Sequence, residues 1–230
     1  MTITLQDALA ALEAEADPER AVAEAAYLKS PRRVLGLRVP RITELATAWR
    51  EGLSVEERVA LADGLWRSDI HDARVAAAKL LTQARLRPDQ GVWDLIASWV
   101  PQFDGWALAD HASDAGARRL VADPSRLDQV EGWVTSPHMW TRRAALVMTL
   151  PWTKQNFPTD QDLAIRQRVL GWCAQLAPDR DWFIQKAVAW WLRDLSKHQP
   201  EATRAFLDQH GERLKPFARK EAARLLPEEA

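Results

Sequence analysis

Apolar residues recur at three- and four-residue spacing along almost the whole chain, and prolines cut that rhythm into short lengths. Leu5, Leu9 and Leu12 keep it, as do Leu61 and Leu65 after Val59, and later Val169, Trp172 and Leu176, while Leu80 and Leu81 follow Val75 more loosely. Residues so spaced share one helical face, whereas strands need alternation, and nothing here reads as a strand. Starts and stops are marked too. Pro40 suits the first turn of a helix running to Arg50, Ser54 can cap Val55 to Trp66 with Glu57 closing a capping box, and Pro88-Asp89 introduces a helix from Gly91 to Val100. Further breaks fall at Pro101, Asp123-Pro124, Ser136-Pro137, Pro151, Pro158, Pro178 and Pro200. The pattern predicts an all-α chain of about a dozen helices with short connections.

Several helices share a local pattern in which a basic residue precedes alanines and then large apolar residues. Arg74-Val75-Ala76-Ala77-Ala78-Lys79-Leu80-Leu81 has it, as do the segments beginning at Arg143, Lys186 and Lys220. Lys186 follows Arg143 by 43 residues and Lys220 follows Lys186 by 34, near the period of paired-helix repeats. Small alanines let neighbouring helices approach, so the expectation is an α-solenoid, curved, with a concave basic groove. No Pro/Gly/Ser-rich linker interrupts it, and residues 1–230 are expected to form a single domain.

Hydrophobic residues at 47%, charged residues at 27% and only 9 glycines exclude a disordered chain. No apolar run approaches the ~18 residues of a spanning helix, and Met1-Thr2-Ile3-Thr4-Leu5-Gln6-Asp7 has no basic segment ahead of a hydrophobic one. A cytoplasmic protein without membrane contact is expected. The single Cys173, flanked by Leu170, Trp172 and Leu176, reads as a buried inert thiol. Net charge is −1, yet Lys29 to Arg41 carries five bases and no acid, and Pro137 to Lys197 carries nine bases against five acids. A polyanion needs local positive charge, so nucleic acid remains a partner class. Solvated helix faces are the alternative reading of the same charges.

Trp106 and Asp110 stand one helical turn apart and share a face, as do Trp190 and Arg193. A carboxylate beside an aromatic plane stabilises positive charge; an arginine beside one binds phosphate. Together they point to a site for a cationic group carried on a polyanion. Taken singly, Trp106 reads as core and Asp110 as a surface residue or helix cap. Trp49, Trp66, Trp93, Trp99, Trp133, Trp152, Trp172 and Trp182 are read as packing residues, and Trp140 and Trp191 with them. His71, His111, His138, His198 and His210 show no metal-ligand spacing, and no glycine-rich phosphate loop or Gly-x-Ser-x-Gly occurs, so neither metal nor cofactor is expected. Asp110 and His111 are adjacent, about 100° apart on a helix, which rules against a dyad.

Trp106-Ala107-Leu108-Ala109-Asp110, the stretch Trp140 to Ala145 and the stretch Phe183 to Arg193, in that order, resemble the AlkD-type DNA glycosylases, the DNA alkylation repair family built from HEAT-like repeats. Ala26-Tyr27-Leu28-Lys29, Leu35-Gly36-Leu37 with Pro40, and Ala218-Arg219-Lys220-Glu221-Ala222 extend the resemblance over nearly the whole chain. The resemblance implies excision of cationic N3- and N7-alkylated purines from double-stranded DNA by hydrolysis of the glycosidic bond, without base flipping. It places the catalytic aspartate on Asp110 and the lesion-contacting tryptophans on Trp106 and Trp190. DNA-binding residues fall on Tyr27, Arg143 and Arg193. Lys186 is a further candidate contact, with pairing to Asp181 or another nearby acid as its structural alternative. Gly105 stands where relatives often carry an aromatic, and Ala107 where an aspartate is common. A monomer without an obligate protein partner is expected, and the competing reading is a non-catalytic HEAT-repeat module that binds DNA or protein.

Overall fold

The computed structural model describes residues 3–227, and these form two compact units that divide between Ala122 and Asp123, at the Asp123-Pro124 break. Among the described residues the regular structure is helical, with a single isolated β-bridge between Arg33 and Ile70. No described helix is long and apolar enough to cross a membrane.

The first unit contains α1 (Leu5–Ala14), α2 (Pro18–Leu28), α3 (Val39–Arg50), α4 (Val55–Arg67), α5 (His71–Leu81), α6 (Gln90–Trp99) and α7 (Trp106–Ala122). The capping box expected at Ser54 and Glu57 is present, and Pro40 lies in the first turn of α3. Helix α5 is the centre of this unit. It packs against α3, α4 and α7, and Ala73, Ala76, Ala77 and Ala78 are fully buried, which is what allows three helices to close on it. Arg74 is also buried. Its guanidinium lies 4.7 Å from the Trp66 ring centroid and its Nε donates to the Trp66 carbonyl at 2.9 Å, so this repeat's cation serves the interior rather than an outer surface. Trp66 in turn stacks on Trp99, ring centroids 4.3 Å apart.

The end of α2 is placed by the loop that follows it. Leu35 donates to Asp72 Oδ2 at 2.6 Å and Leu37 to Asp72 Oδ1 at 2.9 Å, with that carboxylate buried at the start of α5. Between them Gly36 adopts φ +84°, and a Cβ there would fall 2.5 Å from the Asp17 carbonyl oxygen and 2.7 Å from the Ala21 nitrogen. Only glycine meets both demands, a left-handed backbone and direct contact with the first turn of α2. Arg32 then bonds Asp69 at 2.6 Å and also pairs with Asp104, two residues before α7 begins.

The second unit contains α8 (Leu127–Glu131), α9 (Met139–Val147), α10 (Asp160–Leu176), α11 (Trp182–Leu195), α12 (Pro200–His210) and α13 (Pro216–Ala223). Here α11 is central, packed by α9, α10, α12 and α13, with Ala187 and Ala189 buried at its contacts. Arg166, 2% exposed, donates to the Trp152 and Gln155 carbonyls at 2.8 Å each. Cys173 is fully buried, and burial pushes its thiol well above the ordinary range, as expected of an inert group.

Candidate nucleic-acid interface

In the first unit, Trp106 opens α7 and Asp110 follows one turn later, both half-buried while Ala107, Leu108 and Ala109 between them are buried. The helix therefore presents the indole and the carboxylate together, as their spacing required. Tyr27, next to last in α2 and 71% exposed, sets its ring edge-on to Trp106 at a centroid distance of 5.8 Å and an interplanar angle of 84°. Asp114, exposed and another turn along, extends the acidic character of this face; sequence reasoning passed over it because no motif includes it. A cavity of about 10 Å³ beside Gly105 is lined by Leu28, Ser30, Pro31, His71, Asp104, Ala107 and Leu108. That is room for about one water and far too little for a base. A Cβ on Gly105 would meet nothing within 4 Å, so the missing aromatic is not excluded by crowding at that atom.

His111 packs behind this face. Burial, then the nearby Lys79 and His71, push its pKa down from 6.5 to about 4. Because the folded value is depressed, the unfolded chain binds the extra proton, and stability is full above pH ~6.5 and lost as pH falls towards about 4. The expected loss across that window approaches ~3 kcal/mol. Urea unfolding of His111→Gln beside the parent checks it: the variant's stability should vary less between pH 6.5 and 4.

In the second unit the side chains of α11 that reach solvent are Trp182, Phe183, Lys186, Trp190 and Arg193; every other residue of the helix is buried. At 100° per residue these five fall within about 100° of arc, and they run about 16 Å along the axis. The accessible stripe is thus aromatic, cationic, aromatic and cationic in succession. Trp190 Nε1 donates to Asp194 Oδ2 at 3.1 Å, and Arg193 donates to Asp194 Oδ1 through Nε at 3.1 Å and Nη2 at 3.0 Å. The buried Asp194 therefore fixes an indole and a guanidinium together. Arg143, only 5% exposed, donates through Nη1 to the Phe183 carbonyl at 3.0 Å, and its guanidinium carbon lies 5.8 Å from the Phe183 ring centroid. Arg143, Lys186, Trp190, Arg193 and Glu221 line one hollow of about 300 Å³.

Lys186 faces an aromatic ring rather than Asp181. Asp181 pairs with Arg142 at 2.9 Å, while the Lys186 ammonium stands 5.1 Å from the centroid of the Trp182 ring. Trp182 itself departs from its expected place in the core. It is 51% exposed, because it begins α11 on the same face as Lys186 and Trp190, with the Phe183 and Phe217 rings at centroid distances of 5.0 and 6.1 Å. Most other arginines of the two basic stretches are engaged with acids or carbonyls: Arg33 with Glu13, Arg41 with Glu15 and Glu44, Arg142 with Asp179 and Asp181, Arg168 with Asp128 and Glu131.

A family model described as DNA alkylation repair enzyme matches residues 8–226. The chain belongs to that family. No curated protein matches it. Among solved structures, it is similar to a protein of Enterococcus faecalis described as a predicted DNA alkylation repair enzyme, with 21% identity and a TM-score of 0.74 over 93% of this chain and 98% of that one. It is also similar to AlkD2 from Streptococcus mutans, with 19% identity and a TM-score of 0.69 over 98% of this chain and all of the other. At those identities the likeness is one of fold, and it agrees with the helical-repeat architecture expected from the 34- and 43-residue spacings. Family membership assigns the chain to repair of alkylated DNA, and hence to binding DNA.

Proposed function

We propose that this protein is a monofunctional DNA glycosylase of base excision repair that hydrolyses the glycosidic bond of cationic N3- or N7-alkylpurines in duplex DNA, acting as a cytoplasmic monomer on the nucleoid. The observation that carries the reading is the accessible indole and carboxylate one turn apart at the start of α7, with Tyr27 edge-on to the indole. A cationic purine leaves as a neutral base, so no general acid is needed. The bond between the base nitrogen and the sugar breaks, positive charge gathers on the deoxyribose, and water adds to the sugar carbon while giving up a proton. Asp110 stabilises that charge and orients the water. Trp106 and Trp190 favour the cationic base through cation–π attraction of roughly 0.5–2 kcal/mol each. Tyr27, Arg143, Lys186 and Arg193 hold the backbone, the arginines through charge-assisted bonds to phosphates. On this reading the base is cleaved without being flipped out of the stack.

Selectivity for charge tests this. Two duplexes, one carrying 7-methylguanine and the other neutral hypoxanthine, are incubated with excess protein and the free base is measured. Each rate is divided by the spontaneous rate of the same duplex without protein, and two indoles predict an enhancement at least about fivefold larger for the cationic base. Equal enhancements would remove the role of the tryptophans. Tight binding of the methylated duplex with no base released would favour the non-catalytic repeat module instead.

A further inference from the structure

The cationic hollow beside α11 already contains an anion of the protein's own. Glu221, on α13, accepts from Arg193 Nη1 at Oε1 over 2.5 Å, and its Oε2 lies 3.4 Å from Arg224 Nη1. The Arg193 guanidinium is thus shared between two carboxylates of different character. Asp194, on its Nε and Nη2 edge, is 9% exposed and also holds Trp190, so it is locked in place. Glu221, on Nη1, keeps 24% of its side chain exposed and faces the hollow. Its second partner, Arg224, is 57% exposed and offers the carboxylate another position.

The placement is specified by the packing. Gln185, fully buried in α11, donates through Nε2 to the Ala177 carbonyl at 2.9 Å and the Asp179 carbonyl at 2.6 Å, and its Oε1 accepts from the Lys215 backbone at 2.7 Å. Lys215 precedes α13, so the buried amide fixes where that helix begins and, two turns on, where Glu221 stands. The pair is open to solvent on the side of the hollow, with 22% of the Arg193 side chain and 24% of the Glu221 side chain exposed, so an incoming anion can reach the same guanidinium edge.

We propose that Glu221 is a built-in competitor for the phosphate site on Arg193. In the free protein its carboxylate occupies the guanidinium edge that a backbone phosphate takes in the complex, and Arg224 receives it when DNA binds. The inference rests on the reading of this hollow as a DNA interface. Its consequence is weak holding of undamaged duplex: the hollow has three cations but a net charge of only two while Glu221 lines it. Residence then depends on contacts that only a lesion supplies.

The test is fluorescence anisotropy of a labelled undamaged duplex titrated with the full-length protein between about 50 and 200 mM salt, where affinity reports the phosphates neutralised. Glu221→Gln should bind about fivefold more tightly at the low-salt end, with a log–log salt slope steeper by about one unit. Arg193→Gln should weaken binding and flatten the slope by about one, and adding Glu221→Gln to it should restore nothing, because the two act through one contact. Glu212→Gln, an exposed carboxylate outside the hollow, controls for the change in net charge. Thermal unfolding of each variant confirms that it is folded. Binding by Glu221→Gln that is unchanged, weaker, or no tighter than that of Glu212→Gln would overturn the proposal, as would a gain that persists without Arg193. An effect of Arg193→Gln alone would leave the DNA reading standing and the competitor role refuted; no effect of either would take the DNA reading of this hollow with it.

Discussion

Asp110→Asn is expected to lower single-turnover excision of 7-methylguanine by about a hundredfold or more, the scale on which preorganised electrostatic groups act at a developing charge. The substitution keeps the shape of the side chain and removes its charge. Asp110 is half-buried at the start of α7 with Trp106 one turn before it, so the carboxylate works beside apolar surface, where a charge is less screened than in water. Nothing in the proposed chemistry replaces it, since the leaving base is already cationic and the second turn of the same face offers only Asp114. Duplex affinity should be held or should rise, because one negative charge is taken from a surface that meets phosphates. A variant that excises at the parental rate would clear Asp110 of any role in the chemistry.

Arg119→Met should cost about 3–5 kcal/mol of stability, the range seen when one partner of a buried charge pair is removed. Arg119 is fully buried near the end of α7. Its Nη1 donates to Asp89 Oδ2 at 3.0 Å, and its Nη2 donates to the Ala84 carbonyl at 3.0 Å and to the Gln83 carbonyl. The guanidinium therefore supplies donors to the turn after α5 and a counter-charge to Asp89, which precedes α6. Methionine fills similar volume and supplies neither. Against a total of about 5–15 kcal/mol this loss is large. Urea unfolding followed by circular dichroism reads it as a lower midpoint with an unchanged slope, and a loss under about 1 kcal/mol would show that the guanidinium is dispensable. The helix that carries Trp106 and Asp110 is held at its far end by this residue, so stability and activity share an element without sharing side chains.

Arg119 also shows where sequence reasoning stops. Helix positions were legible because their causes are local: Ser54 and Glu57 cap α4 across three residues, Pro40 starts α3, and apolar spacing orients each face. The partner of a long charged side chain has no local cause. Arg32 meets Asp104 across 72 residues and Arg193 meets Glu221 across 28, so counting bases along the chain overstated the cations available to a polyanion. Arg74, the first cation of the repeated pattern, turned inward because Trp66 and its carbonyl lay within reach. The same limit explains Trp182. Apolar spacing marks it as core, and only the packing shows that its face of α11 belongs to Lys186, Trp190 and Arg193. The candidate site was readable in a different way. Trp106 with Asp110 and Trp190 with Arg193 each lie within one turn of helix, and Tyr27 reached Trp106 through a motif resemblance that spacing alone would not have supplied.

The central claim is that base and sugar part at the lesion, and the most direct measurement is a single-turnover mass balance on a duplex with one 7-methylguanine. The wild-type protein, in excess and without added metal or nucleotide, should yield one free 7-methylguanine and one abasic site per lesion. Retention of the intact lesion in a stable protein–DNA complex, with neither product formed, would contradict it.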